Sequence, residues 1–242
     1  MTNLLEQIEE MRPVFRVSDR DATVNFYTTV LGLKLINENS FMLQFGSRDD
    51  EQICVICAIS PESLGFHKAE GQKRHIVTII KASQADIRQL IVRHKDKMAQ
   101  IFYGASGYAF STVSPDGDAF TVMTADAGPS TEIPKDDLDL REDYFIGLKD
   151  VSVVSTMIAS PDAGDFYNKN LLVQYIHPVP VPTEAASDTE TWDLGAVQFK
   201  LKEDVRLDEL MLDLTDLNYS FNENTQLFSV TAPNNLELQF TK

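Results

Sequence analysis

Apolar and polar positions alternate in short bursts along this chain, and turn residues separate the bursts. Arg12 to Val17 has the period of a strand. Asp19 can then cap a helix carrying Val24, Tyr27, Val30 and Leu31 on one face, with Gly32 as its stop. Strand pattern resumes at Leu33–Ile36 and recurs in the apolar runs Phe41–Gly46 and Ile53–Ile59. That is one β-α-β-β-β unit. A second follows: strand His75–Ile80, then a helix opened by Ser83 and Asp86 in the manner of a capping box, Asp standing in for the usual Glu. Ile87, Leu90, Ile91 and His94 form its apolar stripe. Gln100–Tyr103, Tyr108–Val113 and Ala119–Thr124 are predicted strands, the last two joined by the turn Ser114-Pro115-Asp116-Gly117.

Residues 128–142, rich in Gly, Pro and acids, read as a linker between an N-terminal domain of residues 1–127 and a C-terminal one of 143–242. The C-terminal part opens with strand Val151–Ile158 and then repeats an earlier string. Phe26/Phe166, Tyr27/Tyr167, Leu31/Leu171 and Ile36/Ile176 all match at one offset of 140 residues. A match of that kind marks a duplicated supersecondary module. The proline-rich stretch Pro178 to Thr191 reads as a lid, a strip for docking a partner, or a plain connector. Trp192–Leu201, Leu210–Leu214, Leu227–Val230 and Leu236–Phe240 are predicted strands, so this half is another pair of units. The fold class is α+β.

With 37 acidic against 21 basic residues, the formal net charge is −16. Binding of nucleic acid or of an anionic membrane needs a Lys/Arg face, and no basic cluster exists in the sequence. No stretch approaches the ~18 apolar residues of a membrane span. The first ten residues are acidic where a signal peptide would be basic. The expected location is therefore cytoplasmic, or extracellular by a route that the sequence does not encode.

Two strings narrow the reading: Phe15-Arg16-Val17-Ser18-Asp19 followed by Phe26-Tyr27 and Leu31-Gly32-Leu33, and the closing Ser114-Pro115-Asp116-Gly117. With the paired units, they resemble the vicinal oxygen chelate superfamily of glyoxalases, bleomycin-resistance proteins and extradiol dioxygenases. Glu38-Asn39-Ser40-Phe41-Met42 and Phe228-Ser229-Val230-Thr231-Ala232-Pro233 make the whole layout similar to the bacterial CppA family. The resemblance implies tandem βαβββ modules whose sheets curl into open half-barrels around a cavity. It also brings that family's label, a proteinase degrading the third component of complement.

Metal-dependent members of the superfamily bring four ligands from four strands into the cavity. Carried over, the positions fall on Arg12, on the stretch Cys54 to Ala58, on His75 and on Thr121. Arginine cannot ligate, and only His75 is of the right type. In the C-terminal half the closing strand holds Glu237, but its first strand offers Ser152. The expectation is no metal and no cofactor. Arg12, His75 and Thr121 are instead expected to line a cavity for a small acidic or aromatic ligand. Phe15, Phe41 and Phe45 would be either its walls or core.

A metalloprotease needs two His one helical turn apart with a Glu between, and none of His67, His75, His94 and His177 is so spaced. Gly104-Ala105-Ser106-Gly107 lacks the spacing of a nucleophile elbow and joins two strands. For a triad assembled only by the fold, His75 and His177 are the available bases. Cys54 and Cys57 sit three apart on one strand, so they face opposite sides with Cα atoms about 10 Å apart, beyond disulfide reach. Three classes remain: a proteinase acting on a host complement protein, a metal-free small-molecule binder, and a protein-binding module.

Overall fold

Strands form where the sequence alternates, and the pairing of their edges decides the architecture. The computed structural model describes residues 4–124, 130–160, 164–169, 172–181, 189–205, 219–222 and 226–242. A short helix, α1 (Leu4–Gln7), leads into β1 (Ile8–Val17), where buried Met11, Phe15 and Val17 alternate with half-buried Arg12, Val14 and Arg16. Asp19 caps α2 (Arg20–Asn25) by accepting the Ala22 N–H at 2.8 Å. The chain continues as a π turn over Phe26–Val30. Gly32 ends it at φ +69°, and a Cβ there would meet Leu90 Cδ2 at 2.8 Å. Only glycine meets both demands.

β2 (Lys34–Glu38), β3 (Met42–Gly46) and β4 (Ile53–Ile59) complete the first unit. The second is β5 (His75–Ala82), α3 (Gln84–His94), β6 (Gln100–Gly104), β7 (Gly107–Val113) and β8 (Ala119–Met123). The cap predicted for α3 is present and reciprocal. Ser83 Oγ accepts the Asp86 N–H and donates to the Asp86 carboxylate. Within the stretch read as linker, β9 (Ser130–Glu132) pairs with β6.

The second half comprises β10 (Val151–Ala159), α4 (Gly164–Lys169), β11 (Ile176–Val179), β12 (Leu194–Leu201), β13 (Tyr219–Asn222), β14 (Leu227–Thr231) and β15 (Glu237–Thr241). β11 takes in Pro178, the start of the proline-rich stretch, which an edge strand tolerates. Residues 182–188 of that stretch and the predicted strand Leu210–Leu214 lie outside the described residues. No described helix is long and apolar enough to cross a membrane.

The strands make two sheets, ordered β13-β14-β15-β12-β1-β4-β3-β2 and β11-β10-β5-β8-β7-β6-β9. Each sheet joins a unit of the first half to one of the second, through the antiparallel pairs β1/β12 and β5/β10. The first strand of each unit would otherwise be an unpaired edge. The inner faces pack on the helices between them. The Tyr27 ring stacks on Phe45 of the eight-stranded sheet at 4.7 Å and lies edge-on to Phe120 of the seven-stranded sheet at 5.7 Å. The repeat keeps its geometry: Phe26–Tyr27 and Phe166–Tyr167 are edge-on pairs at 5.2 and 5.1 Å.

Candidate outer-face site and the buried histidine network

Strand alternation sends Arg12 away from the core, onto the outer face of the eight-stranded sheet. Arg12 is paired across to Gln198 of β12, and Gln198 to Gln239 of β15. Val14 pairs with Ile56 of β4, so Cys54, two residues back, shares the Arg12 face. A row of thiol, guanidinium and two carboxamides thus crosses the four central strands. Cys54, Ile56 and Ala196 are buried on this face. Glu10 holds Arg12 through Nε at 3.0 Å and Nη2 at 2.5 Å, while Lys200 reaches Glu9 at 3.2 Å and Glu10 at 3.3 Å. Gln198 donates to Gln239 at 3.4 Å. Arg12 Nη1 has no partner among the described residues.

His75 does not join this row, correcting the expectation that it shares a cavity with Arg12. It opens β5 in the other sheet and faces inward, 5% exposed, with its ring 4.9 Å from Phe15 and 6.0 Å from Phe120. Its Nε2 meets Thr78 Oγ1 at 2.9 Å, and Thr78 Oγ1 meets Thr156 Oγ1 at 3.2 Å. Its Nδ1 lies 3.3 Å from Asp118, long for a hydrogen bond, and Lys73 Nζ contacts the same carboxylate oxygen at 2.5 Å. Burial pushes the Asp118 carboxyl up, but His75 and Lys73 together outweigh it and hold the group below its usual range. Asp116, two residues before, is pushed up by burial against the hydrogen bonds that it accepts from Ser18.

Asp118, His75 and Thr78 therefore line up as carboxylate, imidazole and hydroxyl. Spacing could not show this, because the three come from β5 and from the end of the Ser-Pro-Asp-Gly turn. In the sequence Asp118 is marked only as the residue after that turn. All three are buried, and Thr78 is 0% exposed. No carbonyl of a peptide substrate can reach that hydroxyl without opening the core.

Thr121 lies on the outer face of the seven-stranded sheet, paired to Ile79 of β5 and Ser111 of β7. His177, on the edge strand β11, pairs with Met157, which pairs in turn with Val77. Neither lies beside Arg12. Phe15 and Phe45 are core at 0% exposure, whereas Phe41 is 73% exposed. Gln198 and Gln239 complete the outer-face row. Alternation through Ala196-Val197-Gln198-Phe199-Lys200 was their only signal.

The family model for the CppA N-terminal region matches residues 10–130, half of the chain. The chain belongs to the CppA family. It is similar to the crystal structure of the cppA protein from Streptococcus pneumoniae, with TM-score 0.80, 22% identity, and 97% of this chain and 98% of that one covered. A Bacillus subtilis protein provisionally named a dioxygenase matches at TM-score 0.69 and 11% identity, covering 97% and 85%. A glyoxalase I variant from Zea mays matches at TM-score 0.58 and 14% identity, covering 98% and 94%. No curated protein matches the chain. This CppA-family member thus has the two-domain glyoxalase-like fold that the resemblance implied.

The metal of that superfamily does not fit the donors present here. The row offers a permanent cation, two carboxamides and a thiol, and Glu10 is already engaged by Arg12 and Lys200. Burial pushes the Cys54 thiol up to about 12, with Arg12 pulling it back only in part, so no thiolate forms near neutral pH. The row through Thr121 on the other sheet, Ile79-Thr121-Ser111, offers no carboxylate or imidazole. Cys57 faces inward, where burial raises its thiol and that of the neighbouring Tyr27 hydroxyl alike. Both cysteines are free and buried. Neither should react with a disulfide-exchange reagent at pH 8 in the native protein, and both should react after unfolding in guanidinium. Rapid labelling of Cys54 in the native state would mean that the outer face is open.

Proposed function

We propose that this CppA-family protein binds a small acidic molecule, without a metal, in the middle of the outer face of its eight-stranded sheet. The observation that carries the reading is Arg12. It stands in a central strand among Cys54, Gln198 and Gln239, fixed by Glu10 with Nη1 left unpartnered among the described residues. A fixed guanidinium offers a carboxylate a charge-assisted hydrogen bond at little entropic cost. Gln198 and Gln239 supply neutral donors beside it, and Ile56 and Ala196 supply apolar surface. A few fixed polar groups beside apolar surface are the usual lining of a small-molecule site.

The family's proteinase label finds less support. Its one geometric counterpart among the described residues is Asp118–His75–Thr78, and that alignment is sealed. It reads as a polar tie within the core, with every hydroxyl committed to a neighbour.

Two measurements test this. Calorimetric titration with benzoate and succinate should show saturable binding, and Arg12→Gln should weaken it by about tenfold or more, the scale of one charged hydrogen bond. Incubation with purified third complement component should leave it intact. Absence of carboxylate binding removes the binding reading. Cleavage that survives repurification and is lost in Thr78→Val restores the proteinase.

A further inference from the structure

The stretch after β9 crosses the molecule as a strap over α3. Its carbonyls are turned inward and fastened one after another. Gln89 donates to the Arg141 carbonyl at 3.4 Å and accepts the Asp143 N–H at 2.8 Å. Arg93 donates to the carbonyls of Asp143 and Phe145 at 3.0 and 2.9 Å, and its guanidinium lies over the Phe145 ring at 5.4 Å. Arg48 donates to the Ile146 carbonyl at 2.8 Å, and the Leu148 N–H reaches the Gly32 carbonyl at 2.8 Å. A chain fixed at this many points is preorganised rather than free to collapse.

Between the strap and α3 lies a cavity of about 460 Å³. That is within the roughly 300–1,000 Å³ usual for small-molecule sites. Its charges are unequally committed. Asp86 accepts from Ser83 at 2.9 Å, Glu142 pairs with Arg93 at 3.3 Å, and Asp143 accepts the Tyr144 N–H at 2.7 Å. The charged groups of Arg88 from α3, Arg141 from the strap and Lys149 ahead of β10 line the same cavity and have no side-chain partner among the described residues. Tyr144, 83% exposed, stands at the same cavity with its ring unpacked.

We propose that this cavity is a second binding site, for a phosphorylated compound carrying a flat ring and of mononucleotide size. The two guanidiniums and the ammonium take the phosphate, which arginine recognises through paired N–H donors. The Tyr144 ring supplies a stacking surface for the base, an interaction that tolerates any flat ring. The site lies on the strap and α3, away from Arg12 in the eight-stranded sheet, so it stands or falls independently of the acidic-ligand reading.

The test uses the full chain with AMP, inorganic pyrophosphate and adenosine as probes, read by titration calorimetry at low salt. AMP should bind saturably. The double variant R141S/K149S should weaken AMP and pyrophosphate at least tenfold. Tyr144→Ala should weaken AMP about fivefold and leave pyrophosphate unchanged, while Arg12→Gln should change neither. Arg141, Lys149 and Tyr144 are exposed, and unchanged thermal melting of each variant checks the fold. No saturable AMP binding with a Kd of about 1 mM or tighter, or AMP affinity unchanged in R141S/K149S, overturns the proposal. Equal loss of AMP and pyrophosphate in Tyr144→Ala overturns the stacking role.

Discussion

Asp118→Ala should be among the most damaging single substitutions in this protein, lowering stability by about 3–5 kcal/mol, the usual cost of breaking a buried ion pair from one side. Asp118 is 1% exposed and is the common anion for Lys73 at 2.5 Å and for His75 at 3.3 Å. Its N–H also bonds Ser114 Oγ at 2.9 Å, but that contact survives the change. Removing the carboxylate leaves a poorly solvated ammonium facing an imidazole. Equilibrium unfolding in guanidinium measures the loss, and Asp118→Asn, which keeps the shape, covers the case in which the alanine variant does not fold. The pH dependence has a definite sign. Asp118 is held below its unfolded value, which is near 3.9 for an ordinary Asp. Its stabilising contribution is therefore complete above that value and is lost as the pH falls through the lower folded one. Asp116 is shifted the other way, so acid favours its folded state and partly offsets the loss. Subtracting the variant's stability curve from the wild-type curve isolates Asp118. A difference that stays flat from pH 6 to the acid limit would dismiss the ion-pair account.

The sequence carried the units and not their assembly. Period-two alternation placed β3, β4 and β7 within a residue or two, and the caps at Asp19 and Ser83 formed as read. Those are local signals. Which unit pairs with which is decided by edges brought together from far along the chain, as in Met11 against Phe199. No string announces that. The misplacement of His75 follows from the same limit. Carrying superfamily positions along residues 1–127 assumes that consecutive units share a half-barrel, whereas β1 completes its row with β12 and β15. Arg12 was therefore found, while its true neighbours Gln198 and Gln239 were not. The triad-like alignment was hidden too, because Asp118 reads locally as the end of a turn and Thr78 as one β-branched strand residue among several.

Asp193→Ala should match or exceed the Asp118 variant, because Asp193 ties the first strands of all four units. Its buried carboxylate accepts the N–H groups of Arg74 at 2.7 Å, His75 at 3.0 Å and Leu194 at 2.7 Å. Its carbonyl accepts the Arg16 N–H at 2.9 Å, and the Arg74 carbonyl accepts the Ala159 N–H at 2.7 Å. β1, β5, β10 and β12 thus meet around one residue that is 0% exposed, its carboxylate holding the start of β5 and its backbone carbonyl holding β1. Alanine strands three buried donors, each costing about 1–3 kcal/mol, so roughly 3–6 kcal/mol is expected after some water entry. Asn, which can accept through one oxygen only, should fall between. Since both sheets share the tie, unfolding should remain a single transition at lower denaturant rather than split into two. Hydrogen exchange provides the local check: the amides of Arg74, His75 and Leu194 should lose protection first. The effect should also be less than additive with Asp118→Ala, because both substitutions act on His75, one through its backbone and the other through its ring. A variant within about 1 kcal/mol of wild type, with those three amides still protected, would show that the four strands are held together by packing and not by this carboxylate.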